Sequence, residues 1–528
     1  MAYENPYTAP TLTGFNSAPP SDDGQRTATN AVRWATHLAK IGTPLRSFAQ
    51  AISAAVLAAF DLLPTRLNIP AWQLGPTAGE LSASVTPTSL GYVPENVKRQ
   101  GAVGDGVTDD TAALLRAAAS SRNLFFPRGT YKLGTELYFD SSSQVSIKGE
   151  AGSVIQITGT NRAFNFYGVA GGSSMSLILE DITITGPAAG TVAAQAILLD
   201  GVALYWLKNV RVVGDGAATP NITTAIYGDG AQQGEIHGGY IAYCYTGIYM
   251  KRSADEGHGT IGSNGCELHG VSLTNAFAQI HFDGVSDSIM VHHNHMIGAV
   301  YGVRVTSATP GTRISNNHIE GPSAGPFTGG ITLDGSPAPE GIRIDGNVIQ
   351  GSGPCLLMSA GKGLVIRDNT ISGGNVQFDA GVEVECLDGN YAVAGSATTF
   401  TNNADKITFK RGNKSAGSAF DWGDMLSPAQ ITANQNDYNP TGLSKALFLR
   451  VSTDASRNIT GLAGGWANRE LKLFNVGAFD IVLKNGDAAS SAANRFEIGA
   501  DITVGPAEGV TLLYDGAAQL WRCAGRHT

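Results

Sequence analysis

Charge is scarce in this chain. Lys, Arg, Asp and Glu make up 15% of it, against ~25% in a typical soluble domain. The formal net charge of −9 comes with no long acidic run and no basic block. A surface that neutralises phosphates needs clustered Lys and Arg, so nucleic acid is excluded as an expected partner. Cysteine is scarce too: Cys244, Cys266, Cys355, Cys386 and Cys523 lie far apart, without CxxC or Cys/His zinc spacing, and an odd number cannot all pair within one chain. They read as reduced, mostly buried thiols of a protein assembled in a cytosol. Long hydrophobic runs are missing. The most apolar stretch, Ala51 to Leu63, carries Ser53 and Asp61 and falls short of the ~20 residues that span a bilayer, so no membrane insertion is expected. Met1 to Pro10 has no basic segment followed by an apolar one, and no secretory signal is expected.

Glycine is in excess. The 67 glycines among 528 residues are nearly twice the usual ~7% share, a composition suited to many short strands joined by tight turns. A chain of this length outgrows one compact core, so several domains or a repeat growing along one axis is expected. Three regions follow. Residues 1–91 hold a Pro- and Asp-rich start and two apolar helical stretches, Ala28 to Ile41 and Leu45 to Leu63; such helices need a partner, either the rest of this chain or a larger assembly. Residues 92–427 repeat. Residues 428–528 carry short alternating strands, among them Ala446 to Val451, Glu470 to Phe474 and Val510 to Tyr514, and predict an all-β sandwich-like domain.

The repeat has two signatures. Asn294, Asn317, Asn347 and Asn369 each sit in the pattern apolar-x-x-Asn-x-apolar-x-Gly, at steps of 23, 30 and 22 residues. Variable steps above a minimum of about twenty describe a solenoid with a constant core and loops of changing length. An Asn at one turn of each rung can bond its own backbone and the rungs above and below. The second signature is a strand that recurs from Ala196-Ile-Leu-Leu-Asp200 to Gly330-Ile-Thr-Leu-Asp334. Alternation points Ile197, Ile226, Ile248, Ile280, Val303 and Ile331 inward. It leaves two columns outside: Leu198, Tyr227, Tyr249, His281, Arg304, Thr332, and beside it Asp200, Asp229, Lys251, Asp283, Thr306, Asp334. His292-His293-Asn294-His295 raises the question of a metal. In an ideal strand His293 and His295 share a side and His318 stacks on His295, but no carboxylate completes a ligand set, so no metal and no cofactor are expected.

Val97-Lys-Arg-Gln-Gly-Ala-Val-Gly-Asp-Gly-Val-Thr-Asp-Asp-Thr-Ala-Ala113 resembles the opening of pectate-lyase-like right-handed β-helix proteins, and Phe125-Phe-Pro-Arg-Gly-Thr-Tyr131 is similar to the strand that follows it there. Physically, Gly104 and Gly106 permit a tight turn, and Asp105, Asp109 and Asp110 suit turn and cap positions. The fold class implied is mostly β: a right-handed parallel β-helix with a short helical N-terminal segment and a C-terminal all-β domain. That family includes polysaccharide lyases, hydrolases and epimerases, and the tail spikes of many phages. Gly14-Phe-Asn-Ser-Ala-Pro-Pro-Ser-Asp-Asp-Gly-Gln25 looks like virion-attachment segments, while Asn475-Val-Gly, Ala492-Ala-Asn-Arg-Phe496 and Trp521 resemble a C-terminal module of phage tail fibres and spikes. The resemblance implies a homotrimer in the virion, docked on a phage tail or baseplate protein through its N-terminal segment and closed by its C-terminal module, with bacterial surface polysaccharide as its other partner.

A saccharide groove wants flat aromatics beside carboxylates, amides and guanidinium groups. Tyr227, Tyr249 and Arg304 are the expected substrate-binding residues, and Asp229, Asp283, His281 and Lys251 the expected catalytic ones. Asp229 and Asp283, two rungs apart, suit an inverting hydrolase, although Lys251 between them would depress both carboxyls. The same cation suits a lyase, in which Lys251 or Arg304 neutralises a uronate and Tyr249 or His281 removes the proton. Asp255-Glu256-Gly257-His258 offers further acid but reads equally well as an exposed turn. A non-catalytic structural or receptor-binding tail protein, and a free bacterial lyase or epimerase, are the competing expectations.

Overall fold

In the three-residue turn Val103-Gly104-Asp105, Gly104 adopts φ +70°, and a Cβ there would lie 2.6 Å from the Tyr131 ring. Only glycine fits. Around this turn the aspartates act as local acceptors: Asp110 takes the Val103 and Gly104 amides at 2.6 and 3.1 Å, Asp105 takes the Val107 and Thr108 amides, and Asp109 caps Thr111 at 3.0 Å. The helix Thr111–Ser120 then buries Ala113, Leu114 and Ala117 at the start of the solenoid. The computed structural model describes residues 75–140, 144–168, 175–216, 219–252, 263–284, 288–306, 311–323, 325–393, 399–404, 406–415 and 425–528. The expected helices Ala28–Ile41 and Leu45–Leu63, and the Asp255–His258 loop, lie outside them.

Behind this entry the chain winds as a right-handed parallel β-helix with three faces, sheets of 13, 11 and 12 strands. One rung runs from Ala278–Asp283 in the 11-stranded sheet to Met290–His292 in the 12-stranded sheet, then His295–Ile297 in the 13-stranded sheet. Every strand pairs in parallel with its equivalents one rung away, so identical positions stack. Ile197, Ile226, Ile248, Ile280, Val303 and Ile331 form such a stack, each fully buried. Burial of a side chain of this size contributes about 1.5–3 kcal/mol, and the solenoid repeats it on every face of every rung.

The turn between the 12- and 13-stranded sheets is where the asparagines work. From Asp181 on, the residue before the turn's inward position is left-handed: Asp181, Asn209, Gly238, Gly270, His293, Asn316, Gly346, Asp368, Gly389 and Gly412 all have φ between 52° and 71°. Early rungs follow it with an aliphatic residue, Ile182, Val210 or Val271, or with Gly239, where a Cβ would lie 2.1 Å from the Val210 carbonyl oxygen. From Asn294 onward an Asn takes its place. Asn294 Oδ1 accepts the Val271 amide at 3.0 Å, and from Asn317 through Asn347, Asn369 and Asn390 to Asn413 each Oδ1 accepts both the backbone amide and the side-chain Nδ2–H of the Asn one rung earlier, at 2.8–3.1 Å. Each Nδ2 also donates to a backbone carbonyl of the earlier rung. Two rungs, Asn390 and Asn413, were not in the sequence pattern. The left-handed turn also overturns the expected alternation of His293 and His295: His293 has φ 56° and the two belong to no common strand. His295 does pair with His318, rings 5.0 Å apart.

The C-terminal region differs from a plain antiparallel sandwich. Its five-stranded sheet begins with three parallel strands, Met425–Leu426, Phe448–Val451 and Glu470–Asn475, and ends with antiparallel Gly509–Asp515 and Leu520–His527. A three-stranded sheet is likewise mixed. Alternating residues mark strands but not their sense; the early connections here are as long as solenoid rungs, and connections of that length return strands in parallel. Trp521 fills this core, its indole N–H donating to the Leu462 carbonyl at 2.8 Å. Arg469 stacks on Trp466 and donates to the carbonyls of Gly464 and Leu443, while burial pushes it down to about 10. All five cysteines are free thiols. No helix among the described residues is long and apolar enough to cross a membrane.

Asn347→Ala should lower stability by about 2–4 kcal/mol, because it orphans the Asn317 amide and the Ile314 carbonyl inside a buried turn. The urea midpoint of the variant checks this, with the exposed Asn123→Ala expected to move it by less than about 0.5 kcal/mol.

Candidate functional site

The two outer columns stand in the 11-stranded sheet in the expected register. Leu198 pairs with Tyr227, Tyr227 with Tyr249, Tyr249 with His281, His281 with Arg304, and Arg304 with Thr332. Asp200, Asp229, Lys251 and Asp283 pair in the same way. Every second residue of a strand faces out, and parallel pairing with no slip keeps those residues together over successive rungs. Tyr227, Tyr249, His281, Arg304, Lys251 and Asp283 are all half-buried, whereas Asp229 is 9% exposed and Thr332 only 1%. The column is therefore open from Tyr227 to Arg304 and closed at Thr332.

Its rings touch. Tyr249 stacks on His281 with centroids 4.7 Å apart at 14°, and Tyr227 meets Tyr249 edge-on at 5.3 Å. Its charges are paired. Lys251 Nζ lies 2.9 Å from Asp229 Oδ2 and 5.6 Å above the Tyr227 ring. The Arg304 guanidinium grips Asp334 through Nε at 3.2 Å and Nη2 at 2.8 Å, and rests 4.9 Å over Tyr301. Asp283 accepts from the Tyr249 hydroxyl at 2.9 Å and the Thr306 hydroxyl at 2.8 Å. The Asp229–Lys251 contact holds the lysine above its ordinary range, and burial, with Asp283 alongside, holds the Tyr249 phenol above its own.

His281 closes this network. Its Nε2 lies 3.3 Å from Thr306 Oγ1. Thr306 has one proton, and the shorter contact to Asp283 takes it; Nε2 must then carry the imidazole proton, leaving Nδ1 with the lone pair. Burial, and next the nearby Arg304 cation, push His281 down to about 4. It is a neutral ring at neutral pH.

Three aromatics that the sequence reading passed over extend the face. Tyr245 stacks on Phe277 at 4.9 Å and 3°, and Phe277 meets Tyr301 at 5.3 Å. Tyr245 and Phe277 directly precede the strands that carry Tyr249 and His281, and Tyr301 opens the strand that carries Arg304. Tyr245 and Phe277 stand three residues before the inward isoleucine of their rungs, a visible signal; Tyr301 stands two before Val303 and breaks the spacing.

A family model described as rhamnogalacturonase A/epimerase, pectate lyase-like, matches residues 95–420, more than half of the chain. The chain belongs to this pectate-lyase-like family. Among curated proteins none matches it. Among solved structures, ORF18 of Geobacillus virus E2 is 16% identical, with 82% of this chain and 75% of that one covered at a TM-score of 0.36. The Dettilon tailspike protein is 9% identical, with 79% and 77% covered at 0.34. The A-module of the mannuronan C-5 epimerase AlgE4 from Azotobacter vinelandii is 16% identical, with 70% and 90% covered at 0.30. None of the three reaches a TM-score of 0.5, and none bears on activity. The family match covers the opening aspartates, the Asn ladder from Asn294 to Asn413 and the whole of this face.

Between pH 6.5 and about 4 the unfolded chain protonates its histidine at this position while the folded β-helix does not. Stability is therefore lost as pH falls through that window, by at most about 3 kcal/mol. Urea midpoints measured across the window should show the wild type losing ground to His281→Gln as pH falls, with the difference constant above it.

Proposed function

We propose that this chain is a tail spike of a phage particle that binds a bacterial surface polysaccharide along the Tyr227-to-Arg304 face and depolymerises it by hydrolysis. The observation that carries the reading is the face itself: stacked rings flanked by compensated charges over four successive rungs, on a scaffold of the pectate-lyase-like family. Tyr227 and Tyr249 offer ring faces to the apolar sides of sugars, and Arg304 offers donors to their hydroxyls. Family membership supports carbohydrate chemistry on this fold, and fold alone does not assign it.

Hydrolysis falls to Asp229 and Asp283. One rung separates them, so their backbones stand ~10 Å apart, compatible with the ~6.5–9.5 Å between carboxyl groups of an inverting glycosidase. Asp283 accepts from two hydroxyl donors, Tyr249 and Thr306, and suits the base that activates water. Asp229 suits the acid; its Oδ1 makes no hydrogen bond, and its Oδ2 is held by Lys251 at 2.9 Å, a contact that substrate must displace. Elimination is the weaker chemistry here. Lys251 and Arg304 are already neutralised by Asp229 and Asp334, the Tyr249 phenol is held protonated, and His281 is too weak a base. The Asp229–Lys251 ion pair also favours a second reading, a spike that binds its polymer without cutting it.

Within the same proposal, residues 1–91 attach the spike to a tail or baseplate protein, residues 92–427 form the polysaccharide-binding β-helix, and residues 428–528 close a homotrimer or contact the receptor. The spike assembles in the host cytoplasm and works on the virion.

Purified protein incubated with envelope polysaccharide from candidate hosts should shorten one polymer, seen by size exclusion, with no new unsaturation by absorbance. Asp229→Asn and Asp283→Asn should each cut kcat by about 10²–10⁴-fold while binding changes little. Binding without shortening establishes the second reading. If no polymer from a host of the parent phage is bound or shortened, the polysaccharide proposal fails.

A further inference from the structure

On the 12-stranded sheet, away from the face described above, histidines and glutamates share one exterior strip. Strands Gly234–His237, Glu267–His269 and Met290–His292 occupy three successive rungs. Ile236, Leu268 and Val291 fill the core, so their neighbours on either side project outward. Register stacks Glu235 on Glu267, and His237 on His269 on His292. The imidazoles lie face to face, with centroids 4.2 Å apart for His237 and His269 and 5.0 Å for His269 and His292. Each glutamate reaches diagonally to the next rung: Glu235 Oε1 is 3.0 Å from His269 Nε2, and Glu267 Oε1 is 2.8 Å from His292 Nε2.

We propose that Glu235, His237 and His269 form a binding site for a divalent transition-metal ion of the zinc type. The donor set is one carboxylate oxygen and two imidazole nitrogens, which suits zinc and its neighbours and not calcium or magnesium, whose sites are built from oxygen. The three donor atoms lie within 4.8 Å of one another. Bonds of ~2.0–2.1 Å in a tetrahedral zinc site place ligand atoms about 3.4 Å apart. The two edges measured from Glu235 Oε1, 3.0 Å to His269 Nε2 and 3.5 Å to His237 Nδ1, bracket that spacing. The parallel sheet already sets the distance between the two rungs; because imidazole lone pairs lie in the ring plane, the stacked His237 and His269 rings must turn about their side-chain torsions for both nitrogens to face one ion. Access is open, because His237 and Glu235 are 49% and 36% exposed. His292 stacks beneath His269 and is itself fixed by Glu267, so the second ligand ring is backed on the side away from His237. The fourth position faces solvent and takes water. The bound ion crosses from one rung to the next, so it clamps the coil and stabilises the folded chain in proportion to its occupancy.

The test uses the full untagged chain, stripped with chelator and titrated with Zn²⁺ by calorimetry, with thermal melting in parallel. One saturable equivalent per chain and a rise in Tm on adding Zn²⁺ are expected. His237→Ala and His269→Ala should each weaken binding by at least about tenfold and remove the rise, while their melting in chelator stays near wild type because both side chains project outward. Glu235→Gln, which keeps the shape and removes the charge, should weaken binding in the same sense and carries the test if a histidine variant fails to fold. His295→Ala, on the 13-stranded sheet, should change nothing. Absence of saturable uptake overturns the proposal, as does uptake that survives loss of His237 and His269 or that falls equally with His295→Ala.

Discussion

Parallel hydrogen bonding at a fixed rung spacing is the constraint on which everything else in this molecule rests. Strands one rung apart pair residue for residue, ~4.8 Å from one another, so whatever occupies a position is stacked on its equivalents above and below. Inside, this turns ordinary alternation into continuous aliphatic columns. At the turn it aligns six asparagines so that each side chain meets two needs at once, the amide of its neighbour and a carbonyl that would otherwise be buried unpaired. The left-handed residue before each asparagine explains why His, Asn, Asp and Gly occupy that position: these types accept positive φ at least cost.

The same stacking organises the exterior. Side chains that would be solvated singly on an isolated strand become ladders: Tyr227, Tyr249, His281 and Arg304 on one sheet, His237, His269 and His292 on another. Ladders concentrate chemistry, and they also force charges to be settled locally, since like charges a rung apart repel. The structure settles them by alternating sign or by diagonal pairing: Asp229 with Lys251, Arg304 with Asp334, Glu235 with His269 and Glu267 with His292. The low overall charge of the chain is consistent with a surface in which few charges stand alone.

Compensation of this kind shapes what the candidate polysaccharide face can do. A cation already held by a carboxylate binds weakly to a second one, so under the proposed function the face would recognise polysaccharide through rings and neutral hydrogen bonds more than through net charge. His281 belongs to this logic. It is packed against Tyr249, close to Arg304, and kept neutral, so it contributes a ring face and one lone pair.

Much of the solenoid was legible in the residues alone. The spacing of Asn294, Asn317, Asn347 and Asn369 and the recurrent strand from Ile197 to Ile331 determined the core columns, the outer columns and their register, because a period-two pattern with one buried face admits only one alignment. The Gly104 turn was equally readable, since few residue types fit it. What only the tertiary structure decided depends on contacts between positions distant in sequence. The partner of Lys251 could have been either Asp229 or Asp283, and side-chain geometry selected Asp229, leaving Asp283 to Tyr249 and Thr306. The turn at His293 broke the alternation assumed for the histidines, and the ring and carboxylate that converge, His269 and Glu235, stand 34 residues apart. The mixed strand sense of the C-terminal sheets followed the same rule: alternation fixes which face a side chain takes, while the strand it lies beside is a property of the folded chain.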